Sequence, residues 1–163
     1  MNNTTRAKTK RYYFAYGSNC HLDQMAVRCP RAAVVGAAIL LNYALELNGK
    51  TSNWGVANIR HKRGKVVNGL LWTITPECEQ SLDRYEGYPH LYEKRKVTVY
   101  AEDGTPYRAM AYVMTAAHSK PALPSKLYYQ GIMEGFRQNR IPSAPLKAAL
   151  EETYSKMMGG LGK

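Results

Sequence analysis

The feature that most constrains this chain is a change of hydrophobic period along its length. Two-residue alternation and short apolar runs fill the first part, and four-residue steps fill the last. Strands are therefore expected early and helices late. Tyr12–Tyr16 is a short aromatic run bounded by Gly17-Ser18-Asn19, which reads as a buried strand ending in a tight turn. A short helix is expected from His21 to Arg28, stopped by Pro30. Val34–Leu47 is apolar, and Leu45 and Leu47 flank Glu46 as one face of a strand would. Residues 55–60 and 65–74 read as a hairpin across the basic turn His61-Lys62-Arg63-Gly64. Thr75-Pro76-Glu77 is a helix start: a hydroxyl cap, proline at the first position, then an acid. Cys78, Leu82 and Tyr85 then share a face, and Gly87 is a stop. Residues 94–101 and 106–114 flank Asp103-Gly104 as a second hairpin. Ser125 caps a helix carrying Tyr128, Ile132 and Phe136. Ser143 and Pro145 open a last helix carrying Leu146, Leu150 and Tyr154, which Gly159-Gly160 ends.

A length of 163 residues suits one domain. Residues 1–11 read as a disordered basic arm, 12–158 as a single domain and 159–163 as a flexible tail. The N-terminal stretch is polar and basic with no apolar segment behind it, so it does not read as a secretory signal. No apolar run approaches the roughly 18 residues needed to span a bilayer. Three cysteines, Cys20, Cys29 and Cys78, are odd in number and lack CxxC spacing. The expectation is no disulfide framework, no zinc finger and a reducing, cytoplasmic compartment. The net charge of +11 is uneven: residues 1–63 hold ten Lys/Arg against Asp23 and Glu46. That balance permits contact with nucleic acid or an anionic surface, and it equally fits solvated charge that aids solubility.

Candidate chemistry sits in two places. A strand that stops in Gly17-Ser18-Asn19 and leads into a helix presents several backbone N–H groups in one direction, which can hold an anion. The turn is neither GxxxxGK[ST] nor GxGxxG. The second place is Glu86, at the C-terminal end of its helix. The negative end of the helix dipole raises a carboxyl pKa, and desolvation by Tyr85, Tyr88 and Tyr92 would push the same way. A Glu raised from about 4.3 toward neutrality suits general acid–base work. A solvated Glu, or a partner for Arg84, is the plain alternative. Four scattered histidines show no ligand spacing, so no metal site is expected. Ser18 lacks the GxSxG elbow. Cys20 reads as a structural thiol.

Tyr13-Phe14-Ala15-Tyr16-Gly17-Ser18-Asn19 resembles the signature opening of the γ-glutamylcyclotransferase family. Further segments agree in order. Gly69-Leu70-Leu71-Trp72 resembles the strand before the family's catalytic helix. Leu82-Asp83-Arg84-Tyr85-Glu86-Gly87 resembles the segment that ends in its catalytic Glu. Tyr92 with Val97–Tyr100, then Ala111-Tyr112-Val113-Met114, then Pro124-Ser125-Lys126-Leu127-Tyr128 resemble the segments that follow. The resemblance runs from about Tyr12 to Pro142. It implies an α+β fold, a small mixed β-barrel-like sheet packed with helices. It implies a cofactor-independent enzyme of acyltransferase or lyase type that releases 5-oxoproline from a γ-glutamyl amide or peptide. Carried over by position, Glu86 would be general base and then general acid. Tyr13, Phe14, Ala15, Tyr16, Gly17, Ser18 and Asn19 would bind the glutamyl moiety, and Tyr92 and Tyr128 would line the pocket. The expected partner is a small-molecule γ-glutamyl substrate, with no membrane.

Two other readings stand beside this one. The first is a catalytically silent ligand-binding protein on the same fold. The second is a nucleic-acid-binding module that uses exposed Tyr as stacking platforms. It ranks third, because the sequence supplies no RRM, KH or zinc-finger motif. The leaving group is left open by the sequence, and so is the choice between monomer and homodimer.

Overall fold

The computed structural model describes residues 10–51 and 54–161. The expected arm lies outside the described residues up to position 9, and so do tail residues 162–163. The elements run β1 (Arg11–Ala15), α1 (Leu22–Arg28), β2 (Ala33–Gly49), β3 (Val56–Ile74), α2 (Pro76–Glu86), β4 (Tyr92–Ala101), β5 (Pro106–Met114), β6 (Lys120–Pro121), α3 (Lys126–Gln138) and α4 (Ala144–Leu161). Arg11, placed in the arm by its charge, is the first strand residue and pairs with Glu79.

Five strands close on themselves in the order β3-β1-β5-β4-β2, with β2 returning to β3 and β6 added beside β2. Every pairing is antiparallel except β1 with β5. Closure gives each of these strands a neighbour on both sides over part of its length, while Val56–Gly69 of β3 pairs with β2 alone. Phe14, Val67, Leu70, Leu71, Val99, Ala109 and Ala111 are fully buried in the core. The α+β barrel expected from the resemblance is therefore present.

The expected hairpin at 61–64 is not a reversal. β3 runs straight through it as a 19-residue strand. Leu41 pairs with Val66 and Tyr43 with His61, so residues 62–65 stand opposite Asn42 alone as a bulge. Asn42 takes a left-handed φ of 63° and its Oδ1 accepts the Gly64 N–H at 3.0 Å. Gly64 itself has φ 85°. The turn chemistry is real, and the strand absorbs it as a bulge.

The helix signals fare better. Thr75 Oγ1 accepts the Cys78 N–H at 3.1 Å, and Gly87 ends α2 at φ 69°. Cys78 and Leu82 are buried, whereas Tyr85, expected on the same face, is half exposed. Ser125 caps α3 through the Tyr128 N–H at 3.1 Å, and Ile132 and Phe136 are buried. α4 buries Leu146, Ala149 and Thr153 instead of the expected Leu150 and Tyr154. The helix also continues through Gly159-Gly160 to Leu161.

Cys29 and Cys78 are disulfide-bonded, with their Cα atoms 5.1 Å apart. This overturns the expectation of no disulfide and removes the cysteines as an argument for a reducing compartment. The pair is 49 residues apart in sequence and meets where the C-terminal end of α1 lies beside the first turn of α2. Cys20 is the free, buried thiol. Among the described residues no helix is long and apolar enough to cross a membrane.

α3 lies hard against a short 3-10 turn, Ser18–Cys20, that follows β1. Leu22 N donates to Gln138 Oε1 at 2.9 Å, and Asn139 Nδ2 donates to the Cys20 carbonyl at 2.8 Å. A Cβ at Gly135 would stand 2.6 Å from the Cys20 carbonyl carbon and the His21 nitrogen. Gly135→Ala is thus expected to cost about 2 kcal/mol by forcing backbone apart. Gly159→Ala, whose Cβ meets open space, is expected to be neutral or to stabilise by up to about 1 kcal/mol. Urea denaturation of both variants checks the contrast.

Candidate active site

β1 delivers its last residues to a turn that the core holds from below. Asn19 is 3% exposed, its carbonyl accepts Trp72 Nε1 at 3.1 Å, and its Nδ2 donates to the Tyr13 hydroxyl at 3.0 Å. The Cys20 N–H closes the turn onto the Gly17 carbonyl at 3.0 Å. Among the described residues and outside the regular elements, the Gly17, Ser18 and Asn19 N–H groups have no backbone acceptor, which makes them candidate donors. Gly17 has to be small here: a Cβ would lie 3.0 Å from Ala57 Cβ and 3.4 Å from the Tyr128 hydroxyl.

α2 delivers Glu86 on its last turn. The helix stops there because Gly87 turns left-handed and the Tyr88 N–H returns to the Asp83 carbonyl at 3.0 Å. Glu86 and the turn meet across one cavity of about 280 Å³. Of the residues expected at the site, Tyr13, Tyr16, Gly17, Ser18, Asn19, Glu86, Tyr92 and Tyr128 line it. Phe14 and Ala15 do not. Both are strand residues committed to the core, with Phe14 so close to Gly69 that a Cβ there would approach its ring to 2.7 Å.

Val56, Ala57, Tyr85, Leu91 and Tyr112 complete the wall. Sequence reading named Tyr85 as a neighbour that desolvates Glu86 and did not place the other four at the site. For Ala57 no local signal exists, because its part is played by the backbone. Its N–H donates to the Tyr128 hydroxyl oxygen at 2.9 Å, and its carbonyl accepts the Tyr92 hydroxyl at 3.1 Å. Tyr128 therefore keeps its own O–H for a ligand. The Tyr112 hydroxyl donates to Asp83 at 2.6 Å, and Lys94 holds the other oxygen of Asp83 at 2.9 Å. The Tyr16 hydroxyl donates to the Tyr112 carbonyl.

The electrostatics follow from this enclosure. Burial in the cavity wall pushes the Glu86 carboxyl up to about 7, while Arg28 pulls the other way. The phenols of Tyr13, Tyr16, Tyr92, Tyr112 and Tyr128 are raised too, first by burial and in part by the Glu86 charge. They stay neutral donors and acceptors at any ordinary pH. Burial likewise raises the Cys20 thiol, whose sulfur lies 3.2 Å from the Ala15 carbonyl, so it is no nucleophile. Among the described residues no group of three or more His, Cys, Asp or Glu is placed to hold a metal ion. The arrangement offers one titratable carboxyl, a row of backbone donors and several fixed hydroxyls.

A family model described as "Gamma-glutamyl cyclotransferase, AIG2-like" matches residues 13–130. This chain belongs to that family. The matched span begins at Tyr13, ahead of the turn, and extends past Tyr128. The chain is similar to the Gamma-glutamylcyclotransferase of Bos taurus, at 34% identity over 137 residues, covering 80% of this chain and 72% of that one. The Homo sapiens Gamma-glutamylcyclotransferase matches at the same identity and coverage. A solved structure of a gamma-glutamyl cyclotransferase superposes with a TM-score of 0.73 at 32% identity, covering 89% of this chain and 86% of that chain. A yeast gamma-glutamyl cyclotransferase specific to glutathione, at 14% identity and a TM-score of 0.59, shows the shared fold alone.

The raised Glu86 pKa has a consequence for stability. The folded value, about 7, lies above the unfolded one, near 4.5. Stability from the neutral carboxyl is fully present below about pH 4.5 and is lost as pH rises through about 7. Glu86→Gln removes this loss. The variant is expected to match the wild type at pH 4 and to exceed it by about 1–3 kcal/mol at pH 8. Thermal unfolding of both proteins at the two pH values measures the difference.

Proposed function

We propose that this chain is a γ-glutamylcyclotransferase that releases 5-oxoproline from a γ-glutamyl amide or peptide, with Glu86 as its general acid–base. The observation that carries this reading is the shared cavity. One carboxyl titrating near neutrality faces a turn with candidate backbone donors, although the two lie some seventy residues apart in sequence.

The reaction asks for those groups. The substrate's α-amine has a pKa of about 7.7–8.0 and is mostly protonated at neutral pH. Ionised Glu86 takes a proton from it. The freed nitrogen attacks the substrate's own γ-carbonyl, forming the ring C–N bond and an oxyanion. The N–H groups of Gly17, Ser18 and Asn19 are the candidate donors for that oxyanion or for the α-carboxylate. Glu86 then returns its proton to the departing nitrogen, and the original C–N bond breaks as the carbonyl re-forms. The ring nitrogen gives up its second proton to the same carboxylate, which passes it to the released amine. Ammonium and neutral-lactam 5-oxoproline leave. A pKa near the working pH lets one carboxyl serve in both directions. Because attack is intramolecular, the enzyme's further task is to hold one folded conformer. The Tyr13, Tyr92 and Tyr128 hydroxyls, fixed by Asn19 and by the Ala57 backbone, suit that task.

Glu86→Gln is expected to lower 5-oxoproline release by about 10²–10⁴-fold, the range typical of general acid–base groups. The fold, followed by circular dichroism, should persist. A panel of γ-glutamyl amines, dipeptides and tripeptides reads both rate and leaving-group preference. Turnover by Glu86→Gln at the wild-type rate contradicts the assignment. In the wild type, kcat/KM is expected to rise with pH through about 7 as Glu86 ionises.

A further inference from the structure

We infer that Arg28 is a positioning residue of this reaction, holding the Ser18–Asn19 turn against the Tyr85–Glu86 end of α2 and supplying the positive charge that acts on Glu86. The inference rests on the reading of Glu86 as acid–base group. Nothing in the local sequence around Arg28 announces the role, because its partners come from three segments.

Its guanidinium donates to Ser18 Oγ at 3.2 Å, to Asn19 Oδ1 at 2.5 Å and to Gln24 Oε1 at 3.2 Å. Its plane lies over the Tyr85 ring, 3.7 Å from the ring centroid. One planar group thus grips both walls that the reaction needs. The main chain fixes where it starts from. The Ser81 hydroxyl of α2 donates to the Arg28 carbonyl at 2.7 Å, and the next residue, Cys29, is bonded to Cys78. A side chain anchored at its root and held at its tip has little freedom, and beside the direct contact of the Ser18 and Tyr85 hydroxyls at 3.5 Å it ties the turn to the end of α2. The groups facing Glu86 from the other elements are the phenols of Tyr13, Tyr16, Tyr92, Tyr112 and Tyr128, which are neutral. Among the described residues Arg28 is the cation that counteracts the burial of Glu86.

Two variants separate the mechanical from the electrostatic part. Arg28→Met keeps a shorter unbranched stem and loses the charge together with the hydrogen-bonding fork. It is expected to lower kcat/KM for 5-oxoproline release by about tenfold or more and to move the acidic limb of its pH profile to higher pH, since an unopposed desolvation raises Glu86 further. Arg28→Lys restores charge without the planar fork. It is expected to return the limb to its wild-type position while kcat/KM stays several-fold low. A folded Arg28→Met with wild-type kcat/KM and an unmoved limb overturns the inference. So does Arg28→Lys with full activity, or a limb that stays fixed in both variants while activity falls, which is the signature of loosened structure alone. Glu86→Gln is run beside them. If it turns over normally, the reading of Glu86 fails; if it is inactive and the Arg28 variants behave as wild type, only the role of Arg28 fails.

Discussion

Burying one carboxyl against a wall of hydroxyls and amides sets the terms for the rest of this molecule. Glu86 loses part of its hydration where α2 ends, and among the described residues it is Arg28 that acts against that loss. A neutral carboxyl in that position would be comfortable and an ionised one is costly. The surroundings are arranged to tolerate both forms. The phenols around it remain neutral, so none of them competes for the proton. Several of those hydroxyls are held by backbone: Tyr128 and Tyr92 by Ala57, Tyr16 by the Tyr112 carbonyl. Hydroxyls fixed in this way can bind a polar ligand without first reorganising.

The barrel makes this possible by bringing the end of β1 to the hollow that Glu86 faces. β1 pairs with β3 on one side and with β5 on the other, so its C-terminal end opens beside the wall that Tyr112 contributes. α3 then presses the turn inward with no Cβ at Gly135, and Gly17 lets Ala57 and Tyr128 close from the opposite side. Arg28 bridges the remaining gap to α2. Substitutions at Gly17 and Gly135 therefore touch function through geometry, although neither residue has a reactive group.

Much of the fold was legible because its signals are local. A Thr-Pro-Glu cap, a Gly stop, an Asp-Gly hairpin and a serine cap each bind within a few residues, and each appears where the sequence places it. The strand-turn at Gly17-Ser18-Asn19 and the helix end at Glu86 were legible for the same reason. What the sequence hid is non-local. The Lys62–Lys65 segment has turn chemistry, but whether a turn reverses the chain or bulges is decided by the partner strand, and Asn42 decides it. Ala57 matters through its peptide groups, which any residue type carries. Arg28 and the Cys29–Cys78 pair acquire partners only when α1 and α2 pack. Phe14 and Ala15, which do not line the cavity, are the reverse case. A contiguous motif reads as one functional unit, while the strand spends its middle residues on the core.

The central claim is that Glu86 titrates near neutrality inside the folded protein, and it can be measured without substrate. Carbon-13 labelling of glutamate side chains, with Glu86→Gln to assign the signal, follows the Glu86 carboxyl through a pH titration. The account predicts a midpoint at about 7, well separated from the other glutamates. A midpoint between about 4 and 5, that of an ordinary solvated glutamate, contradicts it.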